Sequence, residues 1–133
     1  MDMHNNVKVT RAISPVSPAA TGTITGQVID RANYPELEFV IAAGAQTTTG
    51  ITVTPVVLAG SATGSLASAA DADLLGTEAA AGHDGTGGAN GVSKIGYKGS
   101  SRYVRCDLIV TGAATGVYSV TAIQGAARKA PVS

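Results

Sequence analysis

Asp71, Asp73, His83 and Asp84 form a close cluster along the sequence of side chains able to hold a metal ion. Asp-Ala-Asp at 71–73 resembles the opening of a calcium loop, in which alternate carboxylates converge on one cation, but the later oxygen ligands and closing Glu are missing. One histidine cannot make a zinc site, which takes several nitrogen or sulfur ligands. The acidic pair therefore reads as a turn or helix start, with no metal. The run from Gly82 to Gly91 is rich in glycine like a phosphate cradle. It lacks the Gly-x-x-x-x-Gly-Lys-Ser/Thr arrangement, and no helix follows whose N-terminus could hold an anion.

Nucleophilic chemistry fares no better. There is no Gly-x-Ser-x-Gly elbow, and the single cysteine, Cys106, points to the same strand face as Val104 and Leu108, where a thiol is an inert part of a core. His4 and His83 fall in segments expected to be mobile, which cannot hold a general base within hydrogen-bond reach. Glu36 and Glu38 share one strand face and read as a solvated edge. No catalytic, metal or cofactor site is expected, and the chain reads as a non-enzyme.

One segment stands apart. In Lys94-Ile-Gly-Tyr-Lys-Gly-Ser-Ser-Arg-Tyr-Val-Arg105, tyrosine and arginine alternate with glycine at the entry to the strongest strand signal. These residue types dominate protein interfaces, because each brings a large area or a forked donor at modest entropic cost. Tyr97, Arg102, Tyr103 and Arg105 are the candidate interface residues. For Tyr97 and Tyr103 the alternative is that they are the scarce large residues of the core.

The elements that must position these residues are strands. Ala, Gly, Ser and Thr make up 65 of the 133 residues, against 29 of Leu, Ile, Val and Phe. A chain of this length normally buries roughly two-thirds of its unfolded surface, so a core this short of large side chains invites support from partner subunits. Nine acidic and nine basic residues balance to zero, which argues against a nucleic-acid binder needing surplus cations on the phosphates. The charges are segregated along the chain. Residues 30–93 hold seven acids and one base, Arg31, while residues 94–133 hold six bases and one acid, Asp107. Such poles suit head-to-tail contact between copies, unless the strand order interleaves them. No apolar run is long enough to cross a membrane, and the start lacks signal-peptide features, so the chain reads as a cytoplasmic product.

Alternation of apolar and polar residues marks strands at Tyr103 to Thr111 and Val117 to Gln124, with Gly112 to Gly116 as the turn of a hairpin. Strands are also expected at Thr23 to Ile29, Leu37 to Ala43 and Ile51 to Ala59, the last two forming a second hairpin, with another near Val7, Val9 and Ile13. Pro55 cannot donate to a ladder, which places its strand at a sheet edge or a bulge. Residues 1–22 read as an extended N-terminal arm stiffened by Ser14 to Pro18. Residues 23–133 read as one domain with a Gly/Ala-rich excursion over 60–91, holding one helical turn near Ala69 to Leu75. About six to eight short strands with such connections make an all-β fold, an antiparallel, jelly-roll-like β-sandwich.

The string Ile29-Asp30, Tyr34, Leu37, Phe39-Val40-Ile41, Gly44, then Asp71-Ala-Asp-Leu-Leu-Gly76, Ile95-Gly-Tyr97, Gly99, Arg102-Tyr-Val-Arg105 and Ala130-Pro-Val132 resembles a family from tailed bacteriophages and prophages. These are the head decoration, cement or minor capsid proteins. The resemblance spans roughly residues 24–132, with Gly-Tyr-x-Gly-x-x-Arg-Tyr-Val-Arg its most specific part. The chain departs from the pattern over Gly60 to Ala70, where relatives carry more acidic and aromatic residues. The resemblance implies a homotrimer that binds the major capsid protein on the outside of the head, with the N-terminal arm and the Arg128-Lys129 tail ordering across a neighbour. The alternative function is a tail or fibre component with a glycan-binding, adhesin-like role.

Overall fold

The computed structural model describes residues 2–18, 21–46, 52–84, 89–112 and 116–126. Eleven strands lie among them: β1 Lys8–Val16, β2 Gly22–Ile24, β3 Ile29–Asp30, β4 Glu36–Ala43, β5 Thr52–Gly60, β6 Ala67–Ser68, β7 Leu74–Leu75, β8 His83–Asp84, β9 Val92–Tyr97, β10 Tyr103–Thr111 and β11 Tyr118–Gly125. A single 3-10 turn, Asp71–Asp73, sits where the helical turn is expected. The strands form two antiparallel sheets, one ordered β1-β11-β4-β9-β7 and the other β2-β10-β5-β6, with β3 also on β10 and β8 also on β5. The chain is the all-β, two-sheet sandwich that its alternation predicts.

The core lies between the sheets and is built by every second residue of the long strands. Phe39, Ile41, Ile95, Val120 and Ala122 face inward from the first sheet, and Val53, Val57, Val104, Cys106 and Leu108 meet them from the second. Tyr118 adds the largest fully buried side chain.

Neither expected hairpin forms. β10 and β11 belong to different sheets, as do β4 and β5, so each connection crosses the sandwich. The physical reason is that alternation fixes which face of a strand is buried but not which neighbours fill its edges. Sheets packed about 10 Å apart are close enough for a five-residue link such as Gly112 to Gly116 to span. The predicted strand over Thr23 to Ile29 is broken into β2 and β3. Between them Gly26 passes so close to β10 that a Cβ there would overlap the Cys106 carbonyl oxygen.

Residues 8–16, within the expected N-terminal arm, are β1, an edge strand paired along its length with β11. Two register shifts, one between Arg11 and Ile13, let β1 turn both Ala12 and Ile13 inward. Removing residues 1–22 would therefore strip a sheet edge as well as an arm. The 60–91 excursion is likewise not featureless, since β6, β7 and β8 return from it to the two sheets.

Pro55 sits as its chemistry demands. On β5 the Val57 N–H points away from β10 and donates to the Glu78 carboxylate (2.8 Å). Pro55, two residues earlier, turns the same edge outward, between the short stretches paired with β6 and β8. Its missing N–H falls where no ladder partner stands among the described residues.

Candidate functional site

The β9–β10 corner is organised by a residue outside the candidate set. Arg31, only 9% exposed, lays its guanidinium 4.7 Å from the centre of the Tyr97 ring. It donates to the carbonyls of Gly99, Ser101 and Pro35 (3.0, 2.5 and 2.7 Å). Tyr97 is itself 3% exposed, and its hydroxyl accepts from the Ser101 amide (3.2 Å). Tyr97 therefore belongs to the core, correcting its place among the interface candidates. An aromatic at the end of β9 faces inward once its neighbour Ile95 does. Gly99 is required here, because a side chain on it would strike the Tyr97 hydroxyl. The signal for Arg31 was present in the sequence as the one base in an acidic half.

From this corner β10 carries the remaining candidates along the outer face of the second sheet. Tyr103 pairs with Gly60, Arg105 with Leu58, Asp107 with Val56 and Ile109 with Thr54, so arginine and tyrosine stand beside a strip of aliphatic groups. Tyr103 and Arg105 are half-buried, and Arg102 is exposed at the strand's entry. Arg102 grips Asp30 with two parallel hydrogen bonds of 2.9 Å and lies 5.0 Å above the Tyr103 ring. The same bonds hold the Asp30 carboxyl below its ordinary range, although both side chains are about half exposed, so the pair orients more than it stabilises.

Arg105 is held more firmly. Its Nη2 donates to Asp107 Oδ2 (3.0 Å), and its Nε stands 2.9 Å from Oδ1 but is not aligned for a hydrogen bond. Asp107, 5% exposed, accepts in addition from the Gly26 amide (2.9 Å). The tight passage of the chain at Gly26 thus fixes the carboxylate that fixes Arg105. Arg128 and Lys129 lie outside the described residues.

The metal-capable residues are not brought together. The Asp73 carbonyl accepts from the Lys98 amide (2.8 Å) at one end of β9, while His83 lies at the other end, 3.0 Å from the Ser93 hydroxyl. Among the described residues no group of three or more His, Cys, Asp or Glu could hold an ion. His83 is 6% exposed and part of β8, contrary to the mobile segment expected for it. Ser93 donates its only hydroxyl proton to the Ala81 carbonyl (2.7 Å), so the His83 Nε2 carries a proton and donates to Ser93. A serine so engaged is a packing group and not a poised nucleophile. Cys106 is fully buried, and burial pushes its thiol up to about 12, which leaves no thiolate for chemistry.

The two charge halves interleave in space. β10 from the basic half pairs with β3 and β5 from the acidic half, and Arg102 meets Asp30. The opposite poles seen along the chain do not persist as opposite ends of the fold.

No protein-family model and no curated protein matches the chain. Among solved structures, it is similar to a chain in the structure of infectious bursal disease virus, Gx strain, at 16% identity and a TM-score of 0.31. The alignment covers 89% of this chain and 39% of that one, so this chain spans about two fifths of the viral chain's length.

Proposed function

We propose that this chain is a structural protein of a tailed-phage virion, a head decoration or cement protein that sits on the capsid exterior and binds the major capsid protein. The face used is that of Arg102, Tyr103 and Arg105. The observation that carries the reading is the unity of the 96–105 corner, the most specific part of the family resemblance. Buried Tyr97, with Arg31 over it, shapes a turn that leads into a row of exposed Arg102 and half-buried Tyr103 and Arg105 beside Val56, Leu58 and Ile109. Each guanidinium is already oriented by its own carboxylate, so little side-chain entropy remains to be lost on docking. Tyr and Arg so presented are the anchors on which protein interfaces turn.

The test is co-sedimentation of the full chain with undecorated phage heads. The wild type should pellet with the heads, and Tyr103→Ala combined with Arg102→Glu should bind at least tenfold more weakly while melting close to the wild type. A wild type left in the supernatant, or a double variant that binds equally well, overturns the proposal. Labelling found at the tail of purified virions instead of the head would transfer the chain to the tail or fibre reading.

A further inference from the structure

The outer face of the other sheet carries a separate message. From edge to edge its middle row reads Val9, Ile123, Glu38, Gly96, Leu75. The next row facing the same way reads Arg11, Thr121, Val40, Lys94, and beyond it stand Ser119, Ala42 and Val92. This face is far more apolar than a solvated edge. Val9, Leu75 and Val92 are 65%, 52% and 71% exposed.

Glu38 lies in the middle of it, on the central strand. Because Gly96 has no side chain, the carboxylate leans over its backbone: a Cβ at Gly96 would stand 2.6 Å from Glu38 Oε2 and 3.0 Å from the Leu75 Cβ. Burial raises the Glu38 pKa above its ordinary value, with Lys94 opposing the shift only through its field. Among the described residues Glu38 makes no hydrogen bond or ion pair. A carboxylate partly stripped of water on an apolar face, with no bonding partner, is the half of a contact that a cation from outside completes.

We propose that two copies of this chain pair through this face about a two-fold axis lying between them, each setting its Glu38 against the other's Lys94. The face is self-complementary under that operation. With strands about 4.8 Å apart and like-facing residues about 6.8 Å apart along each strand, Glu38 and Lys94 lie on a diagonal of about 8 Å. A two-fold that exchanges them leaves Val40 and Leu75 each near its own copy, and brings Ile123 onto Val92 and Val9 onto Ala42. Apolar groups meet apolar groups, opposite charges meet twice and Arg11 falls on the polar Ser119, so the contact is isologous. The patch is about 20 Å across, near the lower limit of a specific interface, so the pair is a weak one. This inference uses a surface distinct from the Tyr103 face, stands or falls independently of capsid binding, and sets a two-chain pair in place of the homotrimer that the resemblance implies.

Sedimentation velocity of the full chain from about 1 to 500 μM, the range in which so small an interface dissociates, should show the mass rising from one chain to two. Glu38→Lys alone and Lys94→Glu alone should each weaken the pair at least tenfold, by placing like charges face to face. An equimolar mixture of the two variants should restore it, because both crossed contacts are then Lys against Glu. The mixture also controls for folding, since misfolded variants would not recombine. A wild type that stays monomeric, a three-chain mass, variants that pair as well as the wild type, or a mixture without rescue would each overturn the proposal.

Discussion

Gly26→Ala should be among the costliest small changes in this chain, and the structure allows its size to be worked out. A methyl at Gly26 would overlap the Cys106 carbonyl oxygen and stand 3.1 Å from its carbon. Both belong to backbone in the middle of β10, which is paired with β5 through this region, so the residue that moves is Gly26. Movement breaks the bond from its amide to Asp107 Oδ1, a bond to a buried charged acceptor worth about 1.5–3 kcal/mol. Residual overlap adds about 1–2 kcal/mol, in the range for overpacked sites. The total is about 2.5–5 kcal/mol. With an unfolding entropy of roughly 2.1 cal/mol/K per residue, that lowers Tm by about 9–18 °C for 133 residues. The assay is denaturant and thermal unfolding beside Gly22→Ala, where an added Cβ meets nothing within 4 Å and the change should stay within about 0.5 kcal/mol. Combined with Asp107→Ala, Gly26→Ala should cost less than the sum of the two, because they share one hydrogen bond. A loss below about 1 kcal/mol for Gly26→Ala would refute the close passage of this segment over β10 and the chain of support leading to Arg105.

Three further outcomes are expected. Phe39→Ala empties the site of a fully buried ring and should cost about 3–5 kcal/mol in denaturant unfolding, the range for truncating a core aromatic. Cys106 should ignore a chromogenic disulfide reagent at pH 8 in the native protein and react at once in denaturant, since its thiol is buried and pushed up to about 12. Glu38 should show its raised pKa as a pH trend: the folded state binds the proton more tightly than the unfolded chain, so Glu38 weakens the fold increasingly as pH rises past the ordinary carboxyl value near 4.5. In dilute, unpaired protein Glu38→Gln should therefore melt slightly above the wild type at pH 7, with the gap closing towards pH 4; an unchanged gap would assign the effect to something other than titration.

The face each long strand buries was legible in the sequence because alternation is a local property with a period of two residues. The inward set Val104, Cys106, Leu108 and Val110 follows from it, as does the inertness of Cys106. Pro55 at an open edge and Asp71 to Asp73 as a turn followed from single-residue chemistry, a missing N–H in one case and short acidic side chains in the other. The partners of each strand were not legible. A strand edge offers the same backbone groups to any neighbour, so β10 and β11, adjacent in sequence and joined by a glycine-bounded link, could pair with each other or cross to opposite sheets. They cross.

That crossing decided everything about the surfaces. It put Arg102, Tyr103 and Arg105 beside the aliphatic strip of β5 on one outer face, and it turned Tyr97 into core beneath Arg31. It also drew Asp73 and His83 to opposite ends of β9. Glu38 shows the limit most plainly. In sequence it is a carboxylate at an outward position of a strand, as any solvated edge would have. Only the tertiary structure places that strand at the centre of a sheet, opposite a glycine and among Ile123 and Leu75, where the environment set by strand order withdraws the water that the position alone would have supplied. Residue types and their spacing determined an all-β chain and which side chains face inward, because those depend on neighbours along the chain. Which outward side chains stand together, and so what each face can bind, was settled by long-range pairing alone.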